Sequence, residues 1–367
     1  MIRLRRATVL DVIEDRPGAR ELSVQVDGER SPSRAVAYTD LVGPVEVRDR
    51  VVVNTTAVAL RLGTGGLHFV VAVDRADEPT FAPTGRTMKL RYTPHQVNVL
   101  AVEEEGSPHR ARMEQAVGLD GAPVVWLPLH SMVAPAAAGA RAAGARRVVY
   151  VMTGGAALPA PLTRVVASLR RSGVLESVIT AGQAFGGDLE AVSTFSALLA
   201  ARHVTRADVV LVGDGPVNTG TGTTWGATDV ESAMALNATA IVEGQPVAAL
   251  RISFADRRER HRGLSHHSVT ALGKVALVPV HVAVPVLEED GQRRLVWAAL
   301  RDAGIDERHQ LVEVNGQPAL DFLAEQRVAP ESMGRKVADD PAFFLAAGAA
   351  GILAGRMAAE DRRWDES

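Results

Sequence analysis

The chain has 367 residues, of which 47% are hydrophobic and 23% are charged, and its formal net charge is −3. This length corresponds to about two domains, and the near-neutral charge argues against a dedicated nucleic-acid-binding protein, which usually shows a clear positive excess. The sequence contains no cysteine, so disulfides, thiolate catalysis and cysteine-bound metal sites are excluded.

Residues 1–84 are predicted to form a small all-β domain that closes or half-closes into a barrel. Short runs rich in β-branched residues, such as "RELSVQVDG", "RVVVN" and "LHFVVAVD", alternate with turns such as "DRPGA" and "DGERSPS". Both an OB-like and an SH3-like barrel fit this pattern, and the sequence does not choose between them. A Pro-, Gly- and Thr-rich connection covers residues 78–96, and we take residues 85–96 as the linker between domains.

Residues 97–330 are predicted to form a doubly wound, mostly parallel, Rossmann-like α/β domain. Strand-like runs ("VNVLAVEEE", "PVVWLPL", "RRVVYVMT", "ESVITAG", "ADVVLVG", "VAALRISF") alternate with helix-like segments such as "APAAAGARAAG" and "DLEAVSTFSALLAARHV". Near-continuous apolar strands alternating with helices are typical of a parallel sheet covered on both faces.

Residues 331–367 are expected to form a C-terminal helix that packs on the α/β domain. Its apolar stretch at residues 341–355 is rich in Ala and Gly, and we expect it to be too short to span a bilayer core of about 30 Å. The N-terminal segment "MIRLRRATVLDVIED" lacks the apolar core of a signal peptide. We therefore expect a cytoplasmic protein that does not associate with membranes.

Polar and glycine-rich segments follow the predicted strands, whereas the loops that enter the strands are plainer. His130 follows "PVVWLPL", and Gly186 and Gly187 lie in the loop after "ESVITA". Because ligands of open α/β sheets bind beyond the carboxyl ends of the strands, we expect these three residues to contribute to a ligand site. The alternative is that such turns carry glycine and helix caps for geometric reasons alone.

The longest such loop, "GDGPVNTGTGTTWG" at residues 213–226, exceeds the roughly 2–6 residues usual after a strand of this kind. It is not a Walker A loop, because Thr221 stands where lysine is required, nor a dinucleotide fingerprint, because Asn218 replaces the third glycine. Its freed amides and hydroxyls are suited to an anion or a carbohydrate-like polyol, and Thr228 with Glu231 suggests a helix capping box. The candidate ligand-binding residues are Gly215, Asn218, Thr219, Gly220, Thr221, Gly222 and Thr223.

The segment "ADRRERHRGLSHH" combines three histidines with four arginines. Ser265 is a suitable N-cap for a helix that begins at His266, and a helix N-terminus favours neutral imidazole. We expect proton transfer by His261, His266 or His267, with Asp256 orienting one imidazole. Arg258 and Arg260 are expected to attract a carboxylate or phosphate. The alternative is a charged surface turn that caps a helix.

A metal site is a second interpretation of the same region, which we do not favour. A divalent ion could be held by His130, Asp256, His266 and His267, but neither an H-E-x-x-H nor an H-x-H signature occurs. We therefore assign no metal ligand, and the sequence identifies no cofactor.

The segments "NTTAVALRLGTGG", "MKLRYTPHQ", "LPLHSM", "AFGGDLEAV", "GTGTTWG" and "SFADRRERHRGLSHH" resemble an uncharacterised bacterial family catalogued as domain of unknown function 3866. The resemblance spans nearly the whole chain and implies that the barrel and the α/β part belong together. It implies no reaction and no catalytic residue.

These observations predict an enzyme, a hydrolase or group transferase, that acts on a small anionic, phosphorylated or nucleotide-like substrate at the carboxyl edge of the sheet. Redox chemistry fits less well, since the sequence has neither a dinucleotide fingerprint nor a redox cysteine. The alternative is a non-catalytic ligand-binding or regulatory protein that uses the same cleft. A homodimer is compatible with the sequence, and we expect no nucleic-acid or membrane partner.

Overall fold

The computed structural model describes residues 2–62, 65–75 and 85–365, with only the backbone for residues 361–365. The chain forms two compact units, Met1–Val99 and Leu100–Ser367. Residues 78–84 of the connection that we predict at 78–96 lie outside the described residues.

The first unit contains a closed five-stranded barrel, which confirms the predicted barrel. The strands are β1 (Leu4–Arg16), β2 (Ala19–Val26), β3 (Ser33–Tyr38), β4 (Arg50–Asn54) and β5 (Leu67–Asp74), in the order β1-β2-β3-β5-β4. Strand β4 pairs with β1 and closes the barrel. Strands β3 and β5 form a parallel pair. This order is that of an OB-type Greek-key barrel, so the choice that the sequence leaves open falls on the OB-like alternative.

Short elements complete the first unit. They are helices α1 (Thr39–Val42) and α2 (Thr56–Ala59) and a hairpin of β6 (Thr87–Lys89) and β7 (Val97–Val99). The segment "VNVLAVEEE" therefore contributes β7 to this hairpin and not the first strand of the α/β sheet, which is a correction to the sequence-based assignment.

The second unit is built on an eight-stranded, wholly parallel sheet, which confirms the predicted α/β architecture. Its strands are β8 (Pro123–Trp126), β9 (Val148–Thr153), β10 (Ser177–Ala181), β11 (Leu189–Ala191), β12 (Val209–Asp214), β13 (Gln245–Ala249), β16 (His281–Pro285) and β17 (Gln310–Val314). The order across the sheet is β11-β10-β9-β12-β8-β13-β16-β17. A separate hairpin of β14 (Ile252–Ser253) and β15 (Gly263–Leu264) follows β13.

Helices cover both faces of this sheet. They are α3 (Arg110–Gln115), α4 (Val133–Ala142), α5 (Arg164–Arg171), α6 (Thr194–His203), α7 (Thr228–Ser232), α8 (Met234–Ile241), α9 (His266–Thr270), α10 (Asp290–Asp302), α11 (Ile305–Arg308), α12 (Gln317–Glu325) and α13 (Pro341–Asp365). Successive strand residues point to opposite faces. In β8, Val124 and Trp126 join the core under α6, α8 and α10, and Val125 joins the core under α4, α5, α12 and α13.

The predicted helix "DLEAVSTFSALLAARHV" is wrong at its beginning. Residues Leu189–Ala191 form the edge strand β11, and α6 begins at Thr194 with Ser193 and Ser196 forming a capping box. Asp188 is therefore not a helix cap. Its carboxylate accepts a hydrogen bond from Val178 N at 2.8 Å and stabilises the turn between β10 and β11.

Helix α13 lies against α4 through small residues. A Cβ atom added to Gly351 would lie 1.9 Å from the Ala136 carbonyl oxygen, and one on Gly139 would lie 2.4 Å from that of Gly348. The stretch Pro341–Glu360 is long and apolar enough to span a membrane, so the expectation that it is too short is wrong. However, 78% of its most apolar window is buried within the structure, as expected for a core helix.

Candidate functional site

A cavity of about 400 Å³ lies at the carboxyl ends of β8, β12 and β13. The neighbouring strands β8 and β12 lead to helices on opposite faces, since α4 packs in one core and α8 in the other. Such a switch point opens a crevice between the two loops, where ligands of α/β sheets bind. The cavity wall comprises Leu129, His130, Ser131, Val165, Pro216, Val217, Asn218, Thr219, Gly220, Asp229, Arg251, Arg258, Arg260, His261, His267, Glu331 and Met333.

Eight of the residues singled out in the sequence lie in this wall, and eight do not. The first group is His130, Asn218, Thr219, Gly220, Arg258, Arg260, His261 and His267. The second group is Asp256, His266, Gly186, Gly187, Gly215, Thr221, Gly222 and Thr223.

Gly186 and Gly187 are distant from the cavity because β10 is separated from β8 by β9 and β12. Their amides already have partners, since Gly186 N donates to Glu190 Oε1 at 2.7 Å and Gly187 N to Thr180 Oγ1 at 3.2 Å. The structure therefore does not support the ligand-binding role that we assigned to these two glycines.

The tip of the loop at residues 213–226 is closed on itself. Thr221 N and Oγ1 both donate to the Gly226 carbonyl oxygen, at 2.8 and 3.0 Å, and Thr223 Oγ1 lies 3.0 Å from Thr221 Oγ1. Gly222 has a φ of +85° in this turn. The preceding part of the loop, from Pro216 to Gly220, faces the cavity.

The loop carries an unusual backbone conformation at Val217. Its φ is 69°, in the left-handed region that β-branched residues rarely adopt. Such strain persists only where the surrounding structure imposes it, and it concentrates at functional sites. Val217 is therefore a second sign, beside the loop's length, that this loop is shaped by its cavity.

The carboxylate that orients an imidazole is Asp229, not Asp256. His267 Nδ1 lies 2.6 Å from Asp229 Oδ2, and both side chains are buried. With Nδ1 donating to the carboxylate, Nε2 carries the lone pair. The His267 ring lies against the loop, because a Cβ on Gly220 would be 3.2 Å from its Cε1 atom.

Asp256 instead forms a hydrogen-bonded ion pair with Arg258. Its Oδ1 accepts from Arg258 Nε at 3.0 Å and its Oδ2 from Arg258 Nη2 at 2.8 Å. These bonds hold the pKa of Asp256 well below its ordinary value. The role that we assigned to Asp256 is thus wrong, because its acceptor positions serve the guanidinium.

Asp229 escaped the sequence analysis because "TDVE" also matches a capping box. In the structure the N-cap of α7 is Ala227, with no side-chain cap. Thr228 Oγ1 accepts a hydrogen bond from Thr219 N at 3.2 Å, which joins the helix start to the cavity loop. The capping-box assignment is therefore wrong.

Arg251 is the second residue that the sequence analysis missed. It is buried, with Nη1 3.7 Å from Asp229 and Nη2 3.9 Å from Asp256, and burial lowers its pKa to about 10. It lies in the break between β13, which ends at Ala249, and β14, which begins at Ile252, whereas "VAALRISF" suggested one uninterrupted strand. The signal in the sequence was an arginine within an apolar run. A charge buried in such a run must be paired with an opposite charge.

Three imidazoles form a cluster at this side of the cavity. The ring centroids of His261, His266 and His267 lie 4.2 to 5.0 Å apart. Burial, followed by the charges of Arg251 and Arg258, lowers the pKa of His261 to about 3, and burial also lowers that of His266. Both rings are therefore neutral at pH 7, and Ser265 caps α9 as predicted, accepting from His267 N at 3.3 Å.

His130 has a structural role within the wall. Its Nε2 lies 2.7 Å from Thr163 Oγ1 and its Nδ1 lies 3.2 Å from the Tyr150 hydroxyl, which donates to the Asp214 carbonyl oxygen at 2.7 Å. Burial lowers the pKa of His130 to about 4. Both ring nitrogens are engaged, so this residue connects β8, β9 and β12 and offers no free nitrogen to a metal.

Two further features surround the site. Asp340, at the start of α13, accepts hydrogen bonds from Ser253 Oγ at 2.6 Å and Phe254 N at 3.2 Å, which fixes the β14 hairpin. Asp214, at the end of β12, accepts from Thr153 Oγ1 at 2.6 Å and borders a second cavity of about 410 Å³. Burial raises the pKa of Asp214 to about 6.

The comparisons with known proteins give a family and no activity. A family model described as "Protein of unknown function (DUF3866)" matches residues 34–351. No curated protein matches the chain.

Proposed function

Since the chain belongs to the DUF3866 family of proteins of unknown function, we propose its function from the geometry of its cavity. The protein is an enzyme that hydrolyses a small anionic substrate, or transfers a group from it. The substrate binds at the carboxyl ends of β8, β12 and β13, and the cluster of His261, His266 and His267 is the reaction centre.

The observation that carries this proposal is the pair formed by Asp229 and His267. A buried carboxylate 2.6 Å from Nδ1 fixes the ring and its tautomer, as in known catalytic and metal-bound histidines. The other ring nitrogen, Nε2 of His267, is buried without a hydrogen-bond partner among the described residues. The His267 ring lies in the cavity wall. His130, in the same wall, differs because both of its ring nitrogens have hydrogen-bond partners.

The charges around the cavity support an anionic substrate. Arg258 and Arg260 reach its wall, and the carboxylates of Asp229 and Asp256 are buried, at 1% and 4% side-chain exposure. Arg258 stays 39% exposed although it is paired with the buried Asp256, and Arg260 is exposed, so both guanidinium groups are accessible from the cavity. Guanidinium forks bind phosphate and carboxylate with paired hydrogen bonds.

We further propose that the protein is cytoplasmic and acts without a membrane or nucleic-acid partner. The burial of most of α13 within its own unit supports a cytoplasmic protein without a membrane partner. The near-neutral net charge of −3 supports a protein without a nucleic-acid partner.

Thermal unfolding with inorganic phosphate at constant ionic strength tests the substrate class. Phosphate that binds the folded state raises the melting temperature, and at about 100 times the Kd the stabilisation is about 2.7 kcal/mol. The variant Arg260→Gln should weaken this effect at least tenfold. Arg294→Gln, on an exposed face of α10, is the matched control and should bind phosphate as the wild type does.

Turnover of p-nitrophenyl phosphate tests the reaction. We expect hydrolysis that falls at least 100-fold in Asp229→Asn, because an asparagine neither fixes the imidazole in the same tautomer nor stabilises its positive charge. Phosphate stabilisation that is unchanged in Arg260→Gln would contradict the substrate class. Phosphate binding without any release of nitrophenol would instead indicate the ligand-binding alternative.

A further inference from the structure

We propose that His261, His266 and His267 together bind one divalent transition-metal ion of the Zn²⁺ class. The proposal rests on the proposed function in that it assigns a cofactor to the same reaction centre. It departs from our sequence-based preference for a metal-free base, and from the set of His130, Asp256, His266 and His267. His130 and Asp256 are engaged elsewhere, and His261 takes their place.

The first observation is the convergence of the three rings. Each contributes one nitrogen, and these three nitrogens lie within 4.8 Å of one another. A tetrahedral ion with Zn–N bonds of about 2.0–2.1 Å requires nitrogens about 3.4 Å apart. Binding would therefore require the side chains to close a gap of at most about 1.4 Å between any two of these nitrogens.

The second observation is the absence of hydrogen-bond partners. The Nε2 atoms of both His266 and His267 are buried and have no partner among the described residues. Buried polar atoms in folded proteins are almost always satisfied, and an exception requires an explanation such as an ion. Two such atoms on adjacent residues, beside a third imidazole, are accounted for together by a single metal ion.

The third observation is that the Nδ1 atoms of His261 and His267 lie within hydrogen-bonding distance of neighbouring side chains. His267 Nδ1 lies 2.6 Å from Asp229 Oδ2, and His261 Nδ1 lies 2.8 Å from Ser265 Oγ. In metal sites the ligating histidine donates its other N–H to a carboxylate or similar acceptor, which fixes the tautomer and strengthens the ligand. With both Nδ1 atoms so engaged, Nε2 is the nitrogen that each ring presents to the metal.

The charges nearby are compatible with a dication. The guanidinium of Arg251 lies 3.4 Å from His267 Nδ1, but it is itself balanced by Asp229 at 3.7 Å and Asp256 at 3.9 Å. Arg258 is paired with Asp256, and Arg260 is exposed. A third guanidinium, that of Arg335, lies 3.9 Å from Asp256 and is itself paired with Asp340 at 3.3 Å. The inner side of the site therefore carries three carboxylates against three guanidinium groups.

Three histidine ligands leave one coordination position open, as in catalytic zinc sites. His261 and His267 both line the cavity, so this position faces the space where Arg258 and Arg260 would hold an anion. An ion there can bind the substrate's oxygen and lower the pKa of a bound water. The arrangement joins anion recognition and reaction centre in one cavity.

Cobalt binding to the full-length, metal-stripped protein tests the inference. Co²⁺ bound by three imidazoles in a tetrahedral site gives visible absorption bands, and we expect one equivalent per chain, displaced by one equivalent of Zn²⁺ measured by mass spectrometry. His266→Gln should weaken Co²⁺ binding at least 100-fold. His109→Gln, remote from the cluster at the start of α3, is the control and should bind as the wild type does.

A second variant protects the test against misfolding. Asp229→Asn retains all three ligands and should weaken Co²⁺ binding by 10- to 100-fold, as the loss of an outer-shell partner does. The inference is overturned if the folded wild type shows no stoichiometric tetrahedral cobalt spectrum, or if both variants bind Co²⁺ as tightly as the wild type.

The two proposals fail separately. If phosphate stabilisation still depends on Arg260 while Co²⁺ does not bind, the metal site is refuted and the anion site stands. If Co²⁺ binds in the three-histidine site while phosphate has no effect, the anion site is refuted and the metal site stands.

Discussion

Asp214→Asn should stabilise the second unit at pH 8 by about 3 kcal/mol and change its stability little at pH 4. Asp214 is 3% exposed, and burial raises its pKa from 3.8 to about 6. Each pKa unit corresponds to about 1.36 kcal/mol, so the difference of about 2.2 units gives about 3 kcal/mol. Because the folded-state pKa is raised, the protonated carboxyl contributes stability below about pH 4, and this is lost as the pH rises to 6.

Asparagine has nearly the same shape as aspartic acid and cannot ionise. Its Oδ1 can still accept the hydrogen bonds from Thr153 Oγ1 and Gly155 N. The variant therefore retains the contacts to Oδ1, loses only the long 3.5 Å hydrogen bond from Asn218 Nδ2 to Oδ2, and avoids the cost of a buried negative charge at high pH.

Urea unfolding followed by tryptophan fluorescence measures this difference. All four tryptophans, at positions 126, 225, 297 and 364, belong to the second unit, so their fluorescence is a selective probe of its unfolding. The exposed Asp306→Asn in α11 is the control and should show no change of this size between pH 4 and 8. If the difference in unfolding free energy between Asp214→Asn and the wild type is the same at pH 4 and at pH 8, the reasoning is refuted.

Three further predictions concern packing, charge and strain. Gly351→Ala should lower the melting temperature, because the new Cβ would lie 1.9 Å from a carbonyl oxygen and overpacking costs about 1–3 kcal/mol or more. Gly291→Ala is the control and should leave the melting temperature unchanged, because no atom lies within 4 Å of the added Cβ. Arg251→Met should cost about 3–5 kcal/mol in urea unfolding, since it leaves Asp229 buried without its guanidinium partner, whereas Asp256 keeps Arg258. An unchanged midpoint would contradict this. Val217→Gly should stabilise the protein by up to about 1 kcal/mol. Glycine relieves the left-handed strain of about 1–2 kcal/mol, and its greater backbone entropy in the unfolded state offsets part of this gain. A loss of stability would show that the conformation is unstrained.

The sequence predicts the two architectures because each has a strong pattern. The strands of the second unit are continuous apolar runs, such as "VVYVM" and "VVLVG", which only a sheet covered on both faces accommodates. The short β11 could not be predicted in this way. Its three residues lie within a longer segment whose pattern resembles a helix.

The position of the site along each strand is also predictable, but not which strand ends meet. The loops after β8, β10 and β12 all look suitable in sequence, and the strand order alone decides that His130 approaches the loop at 213–226 while Gly186 does not. Local motifs likewise cannot identify distant partners. The bond from Asp229 to His267 joins residues 38 positions apart, whereas the nearer Asp256 was the natural expectation.

The contacts of α13 make the assembly of the site a late event in the life of the chain. Asp340 fixes the hairpin of β14 and β15, which contains His261 and precedes His266 and His267. Helix α4, which follows His130, packs along α13. A ribosome synthesises the N-terminal residues first, at about 5–20 residues per second. A nascent chain therefore exposes all three histidines before the helix that fixes their surroundings has been made. The three-histidine cluster should therefore reach its final arrangement only after residues 340–355 have been translated.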